Sequence, residues 1–321
     1  MKHVVLLLSL VPLWLSGAEM LRISSSLDAM GTTFTIAAYD EDRLKLEGAV
    51  DQAFEEVRRL DWLLSNYKKD SEWSRVNRDA AAGPVRISAE LYRLLAACLD
   101  YSRQSDGAFD ITVGPLIKTW GFYKGRGRLP HRAEIRDAHA RVGYESLILD
   151  ETAQTVRFAK PGMEIDPGGI GKGYAVDRIV AVLQSAGVST ALISAGGSSI
   201  YALGAPPGQD GWKIKIRHPK SAAKTIEETI LKNESMSTSG SYEKFFLAGG
   251  KLYTHIFDPR TGFPATGTVS VSVISPKTID SEAWTKPFFI RGRQWTARNK
   301  PDGFRVYLCE ENMDVACAWL Q

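Results

Sequence analysis

Apolar positions recur every three to four residues between 43 and 64: Leu46, Val50, Ala53, Val57, Leu60 and Leu64 share one face. That is the period of a helix with one buried side. Asp40 and Asp42 stand just ahead of it, where N-caps belong. Residues 89–104 repeat the pattern through Leu91, Leu94, Leu95 and the packing residue Cys98, with Ser88 as cap and Gly107 past the end. Alternation with a period of two marks strands. It begins at Thr33-Phe-Thr-Ile36, entered through a turn at Gly31, and returns in a hairpin whose arms are Leu147-Ile-Leu and Thr155-Val-Arg-Phe. Residues 163–166 read as a short strand, and Val176, Ile179, Val180 and Leu183 as a helix beyond it. Thr190–Ile193 reads as another strand, and short alternating runs follow at 212–216, 251–257, 269–274 and 304–308. Residues 65–77 read as a loop, and 118–140, rich in Arg and Gly, as a surface stretch. Helices early and strands late predict an α+β fold: a two-lobed single domain, 19–321, with a large mixed or antiparallel sheet and flanking helices.

The first residues stand apart from this pattern. Lys2 and His3 precede an apolar run from Val4 to Leu15, broken only by Ser9 and Pro12, and Ser16-Gly-Ala18 places small residues at a cleavage site. Residues 1–18 therefore read as a secretory signal peptide, shorter than the ~20 residues a membrane span needs. No later segment is apolar enough to span, so the chain is expected to be exported, to a periplasm or beyond. In an oxidising compartment Cys309 and Cys317, flanking a turn between strand-like runs, can pair.

Composition narrows the function. With 40 Lys+Arg against 37 Asp+Glu the net charge is +3, without the basic excess of a nucleic-acid binder. Three cysteines are too few for a disulfide scaffold.

Three constellations carry candidate chemistry. In Met163-Glu-Ile-Asp166-Pro-Gly168-Gly169-Ile-Gly171-Lys172-Gly173, a glycine-rich turn opens a helix. Free N–H groups at a helix start, with Lys172 beside them, suit a phosphate; a tight turn without a ligand is the plainer alternative. The missing Ser/Thr after Lys172 excludes a Walker A loop. Ser194-Ala-Gly196-Gly197-Ser198-Ser199 is a second glycine turn, and two such turns at one end of neighbouring strands can share a pocket. In Thr254-His255-Ile-Phe-Asp258-Pro-Arg-Thr-Gly262, a histidine ends a strand next to a turn, and His255 is the candidate general base. Zinc-hydrolase and nucleophile-elbow motifs do not occur. Ser241-Tyr-Glu-Lys244 and Arg260-Thr-Gly262 resemble penicillin-binding motifs, but lie too close together in the chain for that fold.

In order along the chain, the motifs resemble the ApbE-type flavin transferases (FAD:protein FMN transferases). The likeness runs through Ala29-Met30-Gly-Thr32, Leu64-Ser-Asn-Tyr67, Gly107-Ala-Phe-Asp110-Ile-Thr-Val-Gly114-Pro-Leu and Asp166–Asp177. It continues through Ala195-Gly-Gly197, Ser237-Thr-Ser-Gly240 and His255–Gly262. The resemblance implies an α+β fold that holds FAD between lobes. It implies magnesium-dependent splitting of FAD, with FMN passing to a Thr or Ser hydroxyl of a partner protein and AMP leaving. The implied partner is a subunit of a membrane redox complex. Carried over by position, Met30, Tyr67, Ala108, Phe109, Asp110, Asp166 and Lys172 contact FAD. His255 acts at or near the attacking hydroxyl, and Asp258 is assigned with it as a catalytic residue. Gly169, Glu282 and Thr285 are the positions left for the metal.

One departure stands out. Where the family carries Asp-Ala-x-x-Thr-Ala, this chain reads Glu282-Ala-Trp-Thr285-Lys286-Pro. The ligand Asp becomes Glu282 and the ligand Thr becomes Lys286, whose ammonium has only donors. Three expectations follow: Glu282, backbone carbonyls and water suffice for the ion, with Asp280 in reserve; Lys286 stands in for it; or the protein binds or hydrolyses FAD without transferring FMN.

Overall fold

The computed structural model describes residues 20–123, 125–311 and 315–320. The expected signal at 1–18 lies outside them.

Eight strands form one sheet, in the order Leu21–Ala29, Thr32–Asp40, Thr190–Ala195, Ser199–Leu203, Glu234–Gly240, Thr268–Ser275, Arg305–Glu311 and Val315–Leu320. Every neighbouring pair is antiparallel. Because side chains alternate across a strand, register decides what each face carries. Phe34, Ala195, Ser199, Ser237, Val273 and Val306 are partners across successive ladders and so share one face. Helix α1 (Arg43–Leu63) and the later helix Gly171–Ser185 cover the first half of that face, burying Phe34, Ile36, Leu46, Val57, Ile179 and Ile193. The opposite face, with Met236, Ile274 and Tyr307, is closed by the hairpin Trp212–His218/Ser221–Leu231 through Trp212, Ile214 and Ile216.

A second core surrounds α2 (Glu72–Asp79), α3 (Ala89–Gln104) and a small sheet of Val85–Arg86, Leu147–Asp150 and Thr155–Phe158. Asp42 and Ser88 accept from the third residue of their helices, as caps should. The 65–77 loop contains a helix start: Ser71 accepts from Ser74 N, and Trp73 and Val76 are buried. Two turns were too short to display a period. The 118–140 stretch is likewise less superficial than its charge suggests. Helices α4 (Gly114–Thr119) and α5 (Arg132–Ala140) pack through Leu116, Ile135 and Ala138 around a fully buried Trp120. Its indole donates to Gly262 O at 3.1 Å. The expected strand at 163–166 reduces to a single bridge, Val113 with Glu164.

Helix α6 is Gly171–Ser185, and α7 is Thr278–Asn299. The pattern did not reveal α7. It is buried on several sides, contains Pro287, and breaks at Gly292, where φ is 72°. Trp284, Phe288 and Phe289 pack on Val271, Val273 and Leu308. Its other contact with the sheet is polar: Ser281 meets Ser235 and Ser237 at 3.0 and 2.8 Å, and Thr285 accepts from Ser239 at 2.8 Å. Small serines let α7 approach closely and fix its rotation. Cys309 and Cys317 face each other across the last ladder and form a disulfide, and Cys98 is buried and free. Among the described residues no helix is long and apolar enough to cross a membrane.

Candidate functional site

Between the two cores lies a cavity of about 550 Å³, within the range of small-molecule sites. Its walls come from distant parts of the chain: the Met30–Thr32 turn, residues 65–67 after α1, 108–111, the glycine turn before α6, the 196–199 turn, residues 237–240, His255, and one side of α7. The two glycine turns share this pocket as expected, and Lys172 Nζ donates to Ser198 Oγ across it at 2.9 Å.

The start of α6 differs from the phosphate cradle expected of it. Gly171 N donates to Pro167 O, and Gly173 N donates to the Glu282 carboxylate. An internal carboxylate from α7 therefore takes the positive end of α6. The arrangement is reciprocal, because Asp177 of α6 accepts from Thr278 N and Ile279 N at the start of α7, at 2.7 and 2.9 Å. The helices lock end to end, and Gly173 makes this possible. A Cβ there would lie 2.5 Å from Thr278 O and 2.9 Å from Glu282 Oε2.

The α7 side of the cavity carries Glu282, Thr285 and Lys286. Glu282 is 2% exposed, and its Oε1 lies 3.7 Å from Lys172 Nζ. Lys286 Nζ donates to Glu282 O and to Thr285 Oγ1, both at 3.1 Å. Thr285 Oγ1 also accepts from Ser239 Oγ and donates to Glu282 O at 2.7 Å. A hydroxyl has one proton and two lone pairs, so Thr285 is fully used. Its expected role as a metal ligand is not available in this arrangement. Glu282 already serves Gly173 and Lys172, and a Cβ on Gly169 would stand 3.6 Å from Lys286 Cε. The donor set thus does not fit a magnesium ion, which needs near-octahedral oxygen ligands. Among the described residues no group of three or more His, Cys, Asp and Glu converges as a metal site. Burial, and then the charge of Lys172, lower the Lys286 ammonium to about 8 against the pull of Glu282.

His255 follows the strand Lys251–Thr254 and lines the cavity. Its Nδ1 lies 3.0 Å from Lys244 O. A carbonyl only accepts, so Nδ1 carries the proton and Nε2 keeps its lone pair. Burial, aided by the charges of Lys244, Lys286 and Lys172, pulls the imidazole down to about 4. His255 is therefore a neutral base. Asp258, expected to be catalytic, does not line the cavity: Arg260 Nε and Nη2 hold its carboxylate at 2.8 and 2.7 Å, closing the Asp-Pro-Arg-Thr-Gly turn.

The other expected contacts all line the cavity, in different ways. Met30 adopts a left-handed turn (φ 50°), and its N–H donates to Asp61. Exposed Tyr67 stacks on Tyr123 with centroids 5.0 Å apart, an aromatic edge to the pocket. Phe109 lies against the Gly169 backbone. Asp166 is half-buried and accepts from Asn66 Nδ2 and Gly168 N at 2.7 and 2.8 Å; desolvation by the surrounding protein raises its pKa. Asp110 accepts from Thr112 N and Tyr144 N, and burial outweighs those bonds, raising it to about 6. Its carboxylate holds the 108–112 turn in shape. Sequence reasoning missed Lys244 as a wall of the cavity; only its place in the Ser-x-x-Lys match had drawn notice. Asn66 lies inside the Leu64–Tyr67 motif but had no role assigned to it, and Tyr123 carried no signal.

The ApbE family model matches residues 30–308. A FAD:protein FMN transferase of Klebsiella pneumoniae is 33% identical over 262 residues, 81% of this chain and 79% of the relative. One from Salmonella typhimurium is 30% identical over 91% of this chain and 85% of its own length. Among solved structures, the ApbE protein of Thermotoga maritima superposes with a TM-score of 0.85 at 30% identity, covering 93% of this chain and 96% of that one. The flavin transferase ApbE of Vibrio cholerae gives 0.82 at 25%, covering 94% and 97%. On the match over 30–308 and these likenesses, the chain belongs to the ApbE family.

Proposed function

We propose that this chain is a FAD:protein FMN transferase acting outside the cytoplasm. The observation that carries the reading is a neutral histidine, His255, in one cavity with three lysines, Lys172, Lys244 and Lys286. The lysines meet the pyrophosphate of FAD, and the aromatic edge at Tyr67 and Tyr123 receives its ring system. Transfer is of the phosphoryl type. The hydroxyl oxygen of an acceptor Thr or Ser attacks the FMN-side phosphorus, and Nε2 of His255 takes its proton. The P–O bond to the AMP half breaks, and AMP leaves with the bridging oxygen. Such a transition state needs alignment and charge neutralisation more than covalent help. The charge on the transferring phosphate is met by the lysines, since Glu282, Thr285 and Gly169 do not fit a magnesium ion.

Export is supported by the Val4–Leu15 run and by the Cys309–Cys317 disulfide, a bond that persists in oxidising compartments. The acceptor is a protein with an accessible Thr or Ser, placed on a flavin-carrying subunit of a membrane redox complex. Purified protein, FAD and such an acceptor are mixed and followed by mass spectrometry. The acceptor gains one FMN, and AMP appears in equal amount. FAD binding without any adduct, across acceptors and metals, would leave a flavin-binding protein and sink the proposal.

A further inference from the structure

The contacts of Lys286 go beyond its failure to ligate a metal. Its ammonium is held at 3.1 Å by Glu282 O and at 3.1 Å by Thr285 Oγ1, one turn of α7 folded onto a single donor group. Thr285 is in turn fixed by Ser239 at 2.8 Å, so the sheet and the helix together position the charge. An ammonium has three protons, and two are spoken for by these contacts. The third is left for a group in the cavity that Lys286 lines. Lys172, bonded to Ser198 at 2.9 Å, brings its ammonium to 3.7 Å from the Glu282 carboxylate. Two ammonium groups thus lie close to Glu282 at the α7 wall of the pocket, where a dianionic linkage would gain most.

From this geometry we infer that Lys286 is a built-in cation that holds the pyrophosphate of FAD, making dinucleotide binding independent of any divalent metal. The inference rests on the transferase reading for the identity of the ligand. It assigns Lys286 a binding role: a fixed ammonium supplies the charge and one hydrogen bond where an ion would otherwise bridge protein and phosphate. A lysine can do this as a point charge, without the planar fork of arginine.

The test is FAD titration of the full chain, followed by flavin fluorescence, in EDTA and then with excess Mg²⁺. Affinity is expected to agree within about twofold between the two conditions. In Lys286→Thr, affinity in EDTA is expected to fall by more than about tenfold, with Mg²⁺ restoring most of it, because the substitution vacates both oxygen partners and adds a hydroxyl. In Lys286→Met, the loss is expected without rescue by Mg²⁺. Circular dichroism and melting of each variant separate lost binding from lost fold, and the wild-type comparison alone decides the matter if a variant does not fold. Wild-type binding that needs Mg²⁺ by more than about tenfold overturns this inference and leaves the transferase reading standing. Absence of FAD binding under both conditions overturns both.

Discussion

Two glycine-to-alanine substitutions in helices should have opposite signs. In a helix interior alanine is favoured over glycine by about 1 kcal/mol, from propensity alone. Gly48 lies in α1 with nothing within 4 Å of a built Cβ. Gly48→Ala should therefore stabilise the protein by about 0.5–1 kcal/mol. Gly173, in the first turn of α6, has at most the same propensity to gain, and its Cβ would sit 2.5 Å from Thr278 O and 2.9 Å from Glu282 Oε2. Ordinary contact begins roughly an ångström farther out, and the first obstacle is backbone, which cannot rotate away. Helices α6 and α7 must part. That carries the overpacking cost of about 1–3 kcal/mol, plus about 1–3 kcal/mol for the buried Glu282 carboxylate left without Gly173 N–H. Against the propensity gain, the net loss is roughly 1–5 kcal/mol, or a melting temperature lower by about 2–20 °C. Calorimetry and urea unfolding of both variants, with FAD titration, measure this. FAD affinity should fall for Gly173→Ala, since Glu282, Thr285 and Lys286 move with α7. A Gly173→Ala protein as stable as Gly48→Ala, with unchanged affinity, would show that the helix ends are not locked as described.

His255→Ala should hold FAD affinity within about threefold while transfer falls by at least about a hundredfold; equal loss of both would make His255 a binding residue. Because the folded imidazole titrates near 4 rather than 6.5, single-turnover transfer should show no inflection between pH 6 and 7. The same depression has a sign for stability. The unfolded chain binds the His255 proton first, so its contribution is full above 6.5 and is lost as pH falls toward 4. Urea midpoints of the wild type and His255→Gln at two pH values test this, and parallel curves would refute it. Asp110→Ala should lower the melting temperature more than it weakens FAD, because Thr112 N and Tyr144 N lose their acceptor. Alkylation of the denatured protein without reductant should label Cys98 alone, and with reductant all three cysteines; three thiols without reductant would remove the Cys309–Cys317 bond.

Much of the fold was legible because its periodic elements are one-sided. Helix α1 and α3 each bury one stripe, and the strand at Thr33–Ile36 alternates cleanly, so their sequences carry their own period. Helix α7 does not, because Trp284, Thr285, Phe288 and Phe289 are buried around a helix that also contains Pro287. A helix enclosed by sheet, α6 and cavity has no solvent stripe to reveal it. The site followed the same rule. The glycine turns and His255 are punctuation in the chain and could be read locally. The use of Glu282 as the cap of α6 could not, since it joins residues 109 positions apart. What sequence offered there was a substitution, Lys286, whose partners only the fold supplies.

Those partners also explain how a near-neutral chain can hold a polyanion. Among the described residues five carboxylates line the cavity, and each has a partner within the protein. Asp61 serves Met30 N and Lys68, Asp110 serves Thr112 N and Tyr144 N, and Asp166 serves Asn66 and Gly168 N. Glu243 pairs with Arg217, and Glu282 with Gly173 N and Lys172. The acids are thus committed to shaping turns and helix ends, four of them at least partly through backbone N–H groups that neutralise them locally. Lys172, Lys244 and Lys286 share the same cavity, and among the described residues none of their charges is met by a carboxylate in hydrogen-bond contact; the ion pair from Lys172 to Glu282 stands at 3.7 Å. Net charge over the whole molecule says little about such a site. Its sign is set by which charges the fold has already used, and here the acids are the ones used.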